Sequence, residues 1–454
     1  MTIVKRISAL LCFATLIFSA APACAALPTW IDSLEVSGGI TFSKNNAPPF
    51  WMLANQQGRI SKEGDGSFFS RLRLLKEPDK SKSLDWLYGI DLTARTNSNP
   101  DLRWTDAYTG VSYKQLKLTV GRKAEFFGLA DSLLTAGPEV YSRNAPTIPK
   151  IALSTNGYVG LTEWMAFKAY LAHGWMGQEQ YVKDAYLHQK FLYLRFGGTK
   201  PDKGLNLYTG IHHLALWGGA GNPSGVKDFA KVFAGKSGSD DATESDQINA
   251  LGDHRGSIEF ALQQKCLDQD WFLYAQTMFE DGSGLRFWSP GDYLLGLSLI
   301  NKNKESRIRR LNVELLDTRF DKASHVGNDD YFTNSEYSGW VHEGYAIGHP
   351  FIPFSQGVNY AYNPQNRMRG FNAGILLRFS KVINPLVRVA WIKNYGSFSN
   401  PLPEKDSHSM IACNLTNTST VAHGWTMSQQ ISLDAGKKIE PTPGLCLSIT
   451  KSIE

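Results

Sequence analysis

Beyond its first 25 residues the chain has no long apolar run. The one such run, Ile7 to Ala21, follows Lys5 and Arg6 and ends in Ala23-Cys24-Ala25, the pattern of a secretory signal peptide with cleavage expected after Ala25. A lipid-modified Cys24 is disfavoured, because Ala21 stands where such sites carry a larger aliphatic residue. Nothing downstream approaches the ~20 apolar residues of a helical span, so an exported protein is expected and an inner-membrane one is not. Cysteine is scarce too: Cys266, Cys413 and Cys446 are an odd, widely spaced set that describes no disulfide framework, although one bridge stays open. Charge of one sign is missing. With 47 basic against 42 acidic residues the net +5 makes no case for nucleic acid and at most tolerates an acidic ligand. Linkers are absent as well. Roughly 430 mature residues would suit two or three soluble domains by length, yet no Pro/Ser run or composition break divides them. The expected organisation is residues 1–25 as signal peptide and 26–454 as one unit.

What the chain does have is aromatic residues, 12% of the total, 41 glycines, and a mean hydropathy of −0.26. Apolar and polar residues alternating singly produce that average without any apolar run. Leu34, Val36, Ile40 and Phe42 alternate with Glu35, Ser37, Gly39 and Thr41; Trp86 to Arg95, Trp271 to Glu280, Phe371 to Phe379, Trp425 to Asp434 and Leu445 to Thr450 repeat the pattern. The most informative stretch is Leu205 to Leu262. Its first strand-like segment sets Leu205, Leu207, Ile211, Ala215 and Trp217 against Asn206, Tyr208 and His212, and its last sets Ile258, Phe260 and Leu262 against Arg255, Ser257 and Glu259. Between them lie a glycine-rich turn, a helix expected over Val226 to Phe233, and an acidic loop ending at Asp246.

A soluble sandwich gives the same period, with the apolar parity facing a core. A membrane barrel is favoured by export, by aromatic residues on the apolar parity, and by too many segments for one sandwich. At roughly 24 residues per strand and connection, the chain holds about 18 antiparallel strands. The sheet must then close, since an open edge would leave unpaired amides in lipid. The charged parity would line the lumen: Asp91, Arg95, Arg255, Glu259, Glu280, Glu314, Arg378 and Arg388. A packed network plugging the interior is the favoured reading of these residues.

Motifs for catalysis or metal binding are weak. Ala230 to Ser237 resembles a phosphate loop but lacks its first glycine and follows a helix instead of a strand. Glu280 and Asp281, as strand neighbours, point to opposite faces and cannot flank one glycosidic bond. The ten histidines show no paired ligand spacing, and His212-His213 splits across two faces. The acidic run Asp240 to Asp246 fits no cation loop and reads as a solvated loop. Sugar recognition fits better. Aromatic rings stack on C–H faces while carboxylates, amides and guanidinium groups take hydroxyls, and Asp329 to Trp340 supplies the aromatic, carboxylate and amide types in one loop, with Trp217 and Trp288 near other turns. Interfacial anchoring or loop packing explains any one of these aromatics equally well.

Several segments together resemble the Wzi family of capsule-assembly outer-membrane proteins. They are Ala215 to Pro223 with its Trp-Gly-Gly turn, Asp228-Phe229 and Phe233, Gly252 to Gly256, Ser142 to Pro149, Leu187 to Gly197, Phe279 to Gly284, Leu316 to Arg319, Asp330 to Trp340, and Gly344 to Gly348. They keep family order over roughly Phe126 to Gly348. The resemblance implies an all-β outer-membrane barrel of about 18 strands, with long extracellular loops containing short helices, acting as a lectin for capsular or related polysaccharide without catalysis. It also implies that the Trp217 turn and the 226–233 helix form a lid over the barrel mouth. Members from enteric bacteria carry a helical bundle that plugs the periplasmic end. Here strand-like alternation starts at Leu34, so a plug must come from elsewhere or be absent.

The resulting expectation is a non-enzymatic outer-membrane lectin of a Gram-negative cell surface that attaches polysaccharide to the cell. A porin or sugar channel is the alternative, and a secreted polysaccharide-degrading enzyme ranks last. The candidate polysaccharide-binding residues are Trp217, Asp253, Arg255, Glu280, Trp288, Tyr331, Tyr337 and Trp340. No cofactor or metal is expected. The expected partners are polysaccharide and outer-membrane lipid, not nucleic acid, and the chain is expected to be a monomer.

Overall fold

The computed structural model describes residues 27–28, 30–96, 101–198, 203–280, 291–320, 330–380, 382–403, 406–421 and 424–453. Residues 1–25, which the sequence reading assigns to a signal peptide, lie outside the described residues, as do Asp281, Trp288 and Asp329. The alternating segments form strands because an extended chain turns successive side chains to opposite faces. In chain order the strands are β1 (Ser33–Ser43), β2 (Gly66–Lys76), β3 (Leu84–Thr96), β4 (Asp101–Tyr113), β5 (Leu116–Arg122) and β6 (Pro149–Thr155), the last continued by Val159–Gly160. Then come β7 (Met165–Trp175), β8 (Tyr186–Gly197), β9 (Gly204–Trp217), β10 (Asp253–Lys265), β11 (Gln269–Phe279) and β12 (Tyr293–Asn301). The last six are β13 (Ile308–Asp317), β14 (Met368–Leu377), β15 (Pro385–Asn394), β16 (His408–Thr420), β17 (Trp425–Lys437) and β18 (Ile439–Ile453). Each pairs antiparallel with its neighbours, and β1 pairs with β18 from Leu34↔Ile453 to Ser43↔Gly444. The result is a closed barrel of 18 strands with no open edge.

Burial is inverted relative to a soluble sheet. On β5, Leu116, Leu118 and Val120 are exposed while Thr119 is buried; on β9, Leu205, Leu207 and Ile211 are exposed while Asn206 and His212 are buried. That apolar outer face is the surface a strand presents to lipid. Exposed Trp86 and Trp271 lie near one rim and Trp104 and Trp175 near the other, as interfacial girdles do.

The two ends differ. One has tight connections such as Lys114-Gln115 and also carries the outer ends of β1 and β18; the other carries the long segments 44–65, 123–148, 218–252 and 318–367. Short turns mark the periplasmic end and long loops the extracellular one.

The core sits inside the barrel. Segment 123–148 enters the lumen and is fixed to the polar wall. Glu314 accepts hydrogen bonds from Ala136 N–H at 2.7 Å, Asn372 Nδ2 at 2.7 Å and Tyr274 OH at 2.6 Å. Glu259 accepts from the Leu129 amide, from Ser257 OH at 2.7 Å and from Tyr193 OH at 2.8 Å. At the segment's tip, Arg310 holds Asp131 at 2.8 Å and Arg388 donates to Leu133 O at 2.8 Å. Gly296 makes room for the Tyr274 ring, which a Cβ there would strike. Segment 44–65 joins through a short helix, α1 (Phe50–Leu53), with Trp51 donating to Ala412 O at 3.0 Å and its ring beneath the Arg388 guanidinium. The plug left open by the sequence is thus built from extracellular segments folding inward. Most of the charged luminal parity serves it. Asp91 pairs with Arg71, and Arg95 with Asp101 while also reaching Gly58 O. Arg378 is the exception: it lies in a periplasmic turn and pairs with Glu305 at 3.1 Å, because β14 ends one residue earlier. Cys266, Cys413 and Cys446 are all unpaired.

Candidate functional site

Over the lumen lies a cap built mainly from residues 330–367, fixed at both its start and its middle. Asp330 accepts from the amides of Phe398 at 2.6 Å and Ser399 at 2.9 Å and from Ser399 OH at 2.6 Å. Burial works to raise the Asp330 carboxyl, but these hydrogen bonds outweigh it and hold it below its ordinary value. In the middle, a two-residue hairpin (Val341–His342 with Tyr345–Ala346) packs beneath the mouth, and Ser142 OH donates to Gly348 O at 2.7 Å. Trp51, Val140, Ile148, Phe332, Trp340 and Phe351 form one apolar cluster with it.

Four candidate residues meet here. Arg255 is buried and pairs with Asp253 at 2.8 Å and with Glu280; it also donates to Thr333 O at 3.1 Å. Its guanidinium lies 5.6 Å from the Phe332 ring and 5.4 Å from the Trp340 ring. Glu280 also accepts the Phe332 amide at 2.7 Å. Trp340 is wholly buried and donates from Nε1 to Val140 O at 2.8 Å. Tyr331 and Tyr337 are buried as well, donating to Asp292 at 2.9 Å and to Gly218 O at 3.3 Å. The structure therefore brings Asp253, Arg255, Glu280 and Trp340 together and places Tyr331 and Tyr337 in the same cap, but it spends their polar groups internally. Five of the six are buried, and only Glu280 is partly open to solvent.

Two carboxyls beneath the cap, Asp292 beside Tyr331 and Glu139 in segment 123–148, sit far from their ordinary state. Burial pushes Asp292 up to about 6, against hydrogen bonds from the Phe320 amide and Tyr331 OH. Burial, then the nearby Asp292 and Glu259 charges, push Glu139 well up, and neither of its carboxyl oxygens has a hydrogen-bond partner among the described residues. His342 and His349 are pushed down by burial, to about 4 and about 3.

Trp217 is placed elsewhere. With Ala215 it lies on the outer face of β9, beneath helix α2 (Val226–Ala234). The helix forms where the sequence predicts it. Gly225 N–H is capped by Asp228 at 2.9 Å, and Gly235 ends it in the left-handed region at φ 62°. Phe229, Val232 and Phe233 share one stripe. That stripe packs on the barrel's outside, with Phe229 5.8 Å from Trp217 and 5.5 Å from His188, and Phe233 5.5 Å from His188. His173, His188, His213 and His254 line the covered wall, and His213 bonds His254 at 2.9 Å. The expectation of a lid over the mouth is corrected here. The outer face of β9 turns apolar and aromatic at its extracellular end, and the helix covers that face instead of the lumen.

The exposed polar and aromatic surface of the crown comes from segments absent from the candidate set. Tyr181 and Tyr360 are exposed, with Gln178 and Glu179 on one segment and Ser355 and Asn359 on the other. The first segment is joined to the cap by Gln180, whose side chain lies 3.3 Å from His342 Nδ1. Among the described residues no group of three or more His, Cys, Asp or Glu is disposed to hold a metal ion.

A family model described as capsule assembly protein Wzi matches residues 35–367 of this chain. No curated protein matches it. Among solved structures it is similar to Wzi of Escherichia coli, described as an outer-membrane protein involved in group 1 capsule assembly and a carbohydrate-binding β-barrel. Identity is 13%, the TM-score is 0.60, and 92% of this chain and 83% of that one are covered. OccK5 of Pseudomonas aeruginosa matches with TM-score 0.47 at 10% identity over 93% and 97% of the two chains.

Proposed function

Because this chain belongs to the Wzi family of capsule assembly proteins, we propose that it is an outer-membrane lectin, binding capsular or related polysaccharide on its extracellular crown and retaining it at the cell surface without catalysis. The observation that carries the reading is the closed mouth. Segments 44–65, 123–148 and 330–367 fold inward over the lumen and leave an exposed tyrosine-bearing surface, which suits a polymer passing over the barrel better than a solute passing through it. Weak contacts repeated along a polymer sum to avidity, so each may be modest.

In this reading Tyr181, Tyr360 and Glu179 touch sugar. Asp253, Arg255, Glu280, Tyr331, Tyr337 and Trp340 serve binding by fixing the cap beneath them, and Trp217 by holding helix α2. The mature barrel acts as one unit, as a monomer.

Deleting the gene and measuring cell-bound against released polysaccharide tests the proposal. Polysaccharide should shift to the medium and return to the cell on complementation; unchanged retention sinks it. Tyr181→Ala with Tyr360→Ala should lower retention severalfold with the barrel intact.

A further inference from the structure

At the opposite end of the barrel the lumen is not filled. A cavity of about 290 Å³ remains there, lined by Tyr158, Lys168, Tyr193, Tyr208, Phe272 and Arg310 around the tip of segment 123–148. Its floor toward the cell exterior is closed by buried Tyr193 and by Leu129 and Ala130. Its walls come from the periplasmic ends of β7, β9, β11 and β13 and from the connection bearing Tyr158, and they are partly exposed. It is therefore a blind pit facing the periplasm, separated from the crown by the plug.

The lining has a definite chemistry. Tyr158 stands edge-on to Tyr208 at 5.6 Å, and Tyr208 to Phe272 at 6.3 Å. Tyr208 OH donates to Gln263 at 2.8 Å. The acids nearby are engaged: Glu259 by the Leu129 amide and two hydroxyls, Asp131 by Arg310, and Asp270 by Lys302 at 3.0 Å. Two cations are left over. Neither Lys168 nor Arg195 enters an ion pair or side-chain hydrogen bond among the described residues, Arg195 lies 5.5 Å from the Tyr158 ring, and its Nε is buried without a partner. Unpaired cations at the edge of a low-dielectric pit favour an anionic guest.

We propose that this pit is a second saccharide site, facing the periplasm and taking a single sugar ring that carries a carboxylate. The rings of Tyr158, Tyr208 and Phe272 enclose the sugar's C–H faces, Gln263 and the tyrosine hydroxyls take its hydroxyls, and Lys168 takes the carboxylate. The volume lies at the lower end of the roughly 300–1,000 Å³ usual for small-ligand pockets, which gives room for one ring and not for a polymer. The proposal does not rest on binding at the crown.

The test is calorimetric titration of the full mature protein in detergent with sodium glucuronate and, separately, with glucose. Glucuronate should bind at one site and glucose at least tenfold more weakly. Lys168→Gln should weaken glucuronate about tenfold and leave glucose unchanged, whereas Lys168→Arg retains binding. Ile300→Trp, which fills the pit without altering charge, should abolish both. Heat-modifiable migration on gels verifies each variant's fold. No saturable glucuronate binding, equal binding of glucose, or binding indifferent to both Lys168→Gln and Ile300→Trp overturns the proposal. Binding lost on Tyr360→Ala but kept in Lys168→Gln also overturns it, while leaving the crown reading standing.

Discussion

Arg255 is buried with a carboxylate on either side, so its guanidinium is the one positive charge that Asp253 and Glu280 share among their described ion pairs. Arg255→Met keeps most of the volume and leaves both carboxylates without it. Breaking a buried pair from one side costs about 3–5 kcal/mol. That loss should appear as protease cleavage within 330–367 while the heat-resistant barrel band persists. Asp292 gives a pH-dependent counterpart. Its carboxyl is raised to about 6 beneath the folded cap, so the fold favours the neutral form. Its ionisation destabilises the cap as pH rises from the unfolded value near 3.9 through 6. Asp292→Asn should therefore protect the cap from proteolysis relative to the parent above pH 6, by at most about 3 kcal/mol, and make no difference below about pH 4. His342 and His349, held neutral by burial, act in the opposite sense on acidification in both proteins and cancel from the comparison. Parity in the sequence placed Arg255 on the inner face, where the structure has it. It could not reveal that Thr333 and Phe332 fold back onto Arg255 and Glu280, because such contacts join residues about fifty to eighty positions apart with no local period.

Helix α2 shows the same division one level up. Capping by Asp228, the terminating Gly235 and the Phe229–Val232–Phe233 stripe are all local, and all are legible in the sequence. Which surface receives the stripe is not. An apolar helix face suits a lumen mouth or an outer wall equally, and the choice is made by His173, Tyr186, His188 and Trp217 gathering on one side of three adjacent strands. Val232 is fully buried at that contact. Val232→Asp buries an unpaired charge at a cost of several kcal/mol and should detach the helix. The expected readout is rapid cleavage between residues 218 and 252 and loss of protection at Trp217, with heat-modifiable migration unchanged. Retained protection in that variant would contradict the wall-packed placement.

For the whole molecule, the strand period, the strand number and the need for closure were all in the sequence, since lipid on one side and water on the other impose a strict alternation. Where the lumen's contents come from was not, because the inward-folding segments are irregular and polar and resemble ordinary surface loops. The consequence is measurable as conductance. Segment 123–148 crosses the lumen and is tied to β10, β13 and β15 by Glu259, Glu314 and Arg388. The cap closes the space above it. A channel needs a continuous wet path, and this arrangement leaves a blind pit instead, so the mature protein in a planar bilayer should give no regular conductance steps. Arg122 and Pro149 are directly paired across β5 and β6, so residues 124–147 can be replaced by a short Gly-Ser turn without disturbing the wall. That variant loses the plug's deepest part and the Val140 and Ala136 contacts under the cap, and should open steps of porin type while still migrating as a barrel. If the parent conducts as freely as the shortened variant, the lumen is open in the membrane, and the channel reading displaces the closed-mouth lectin.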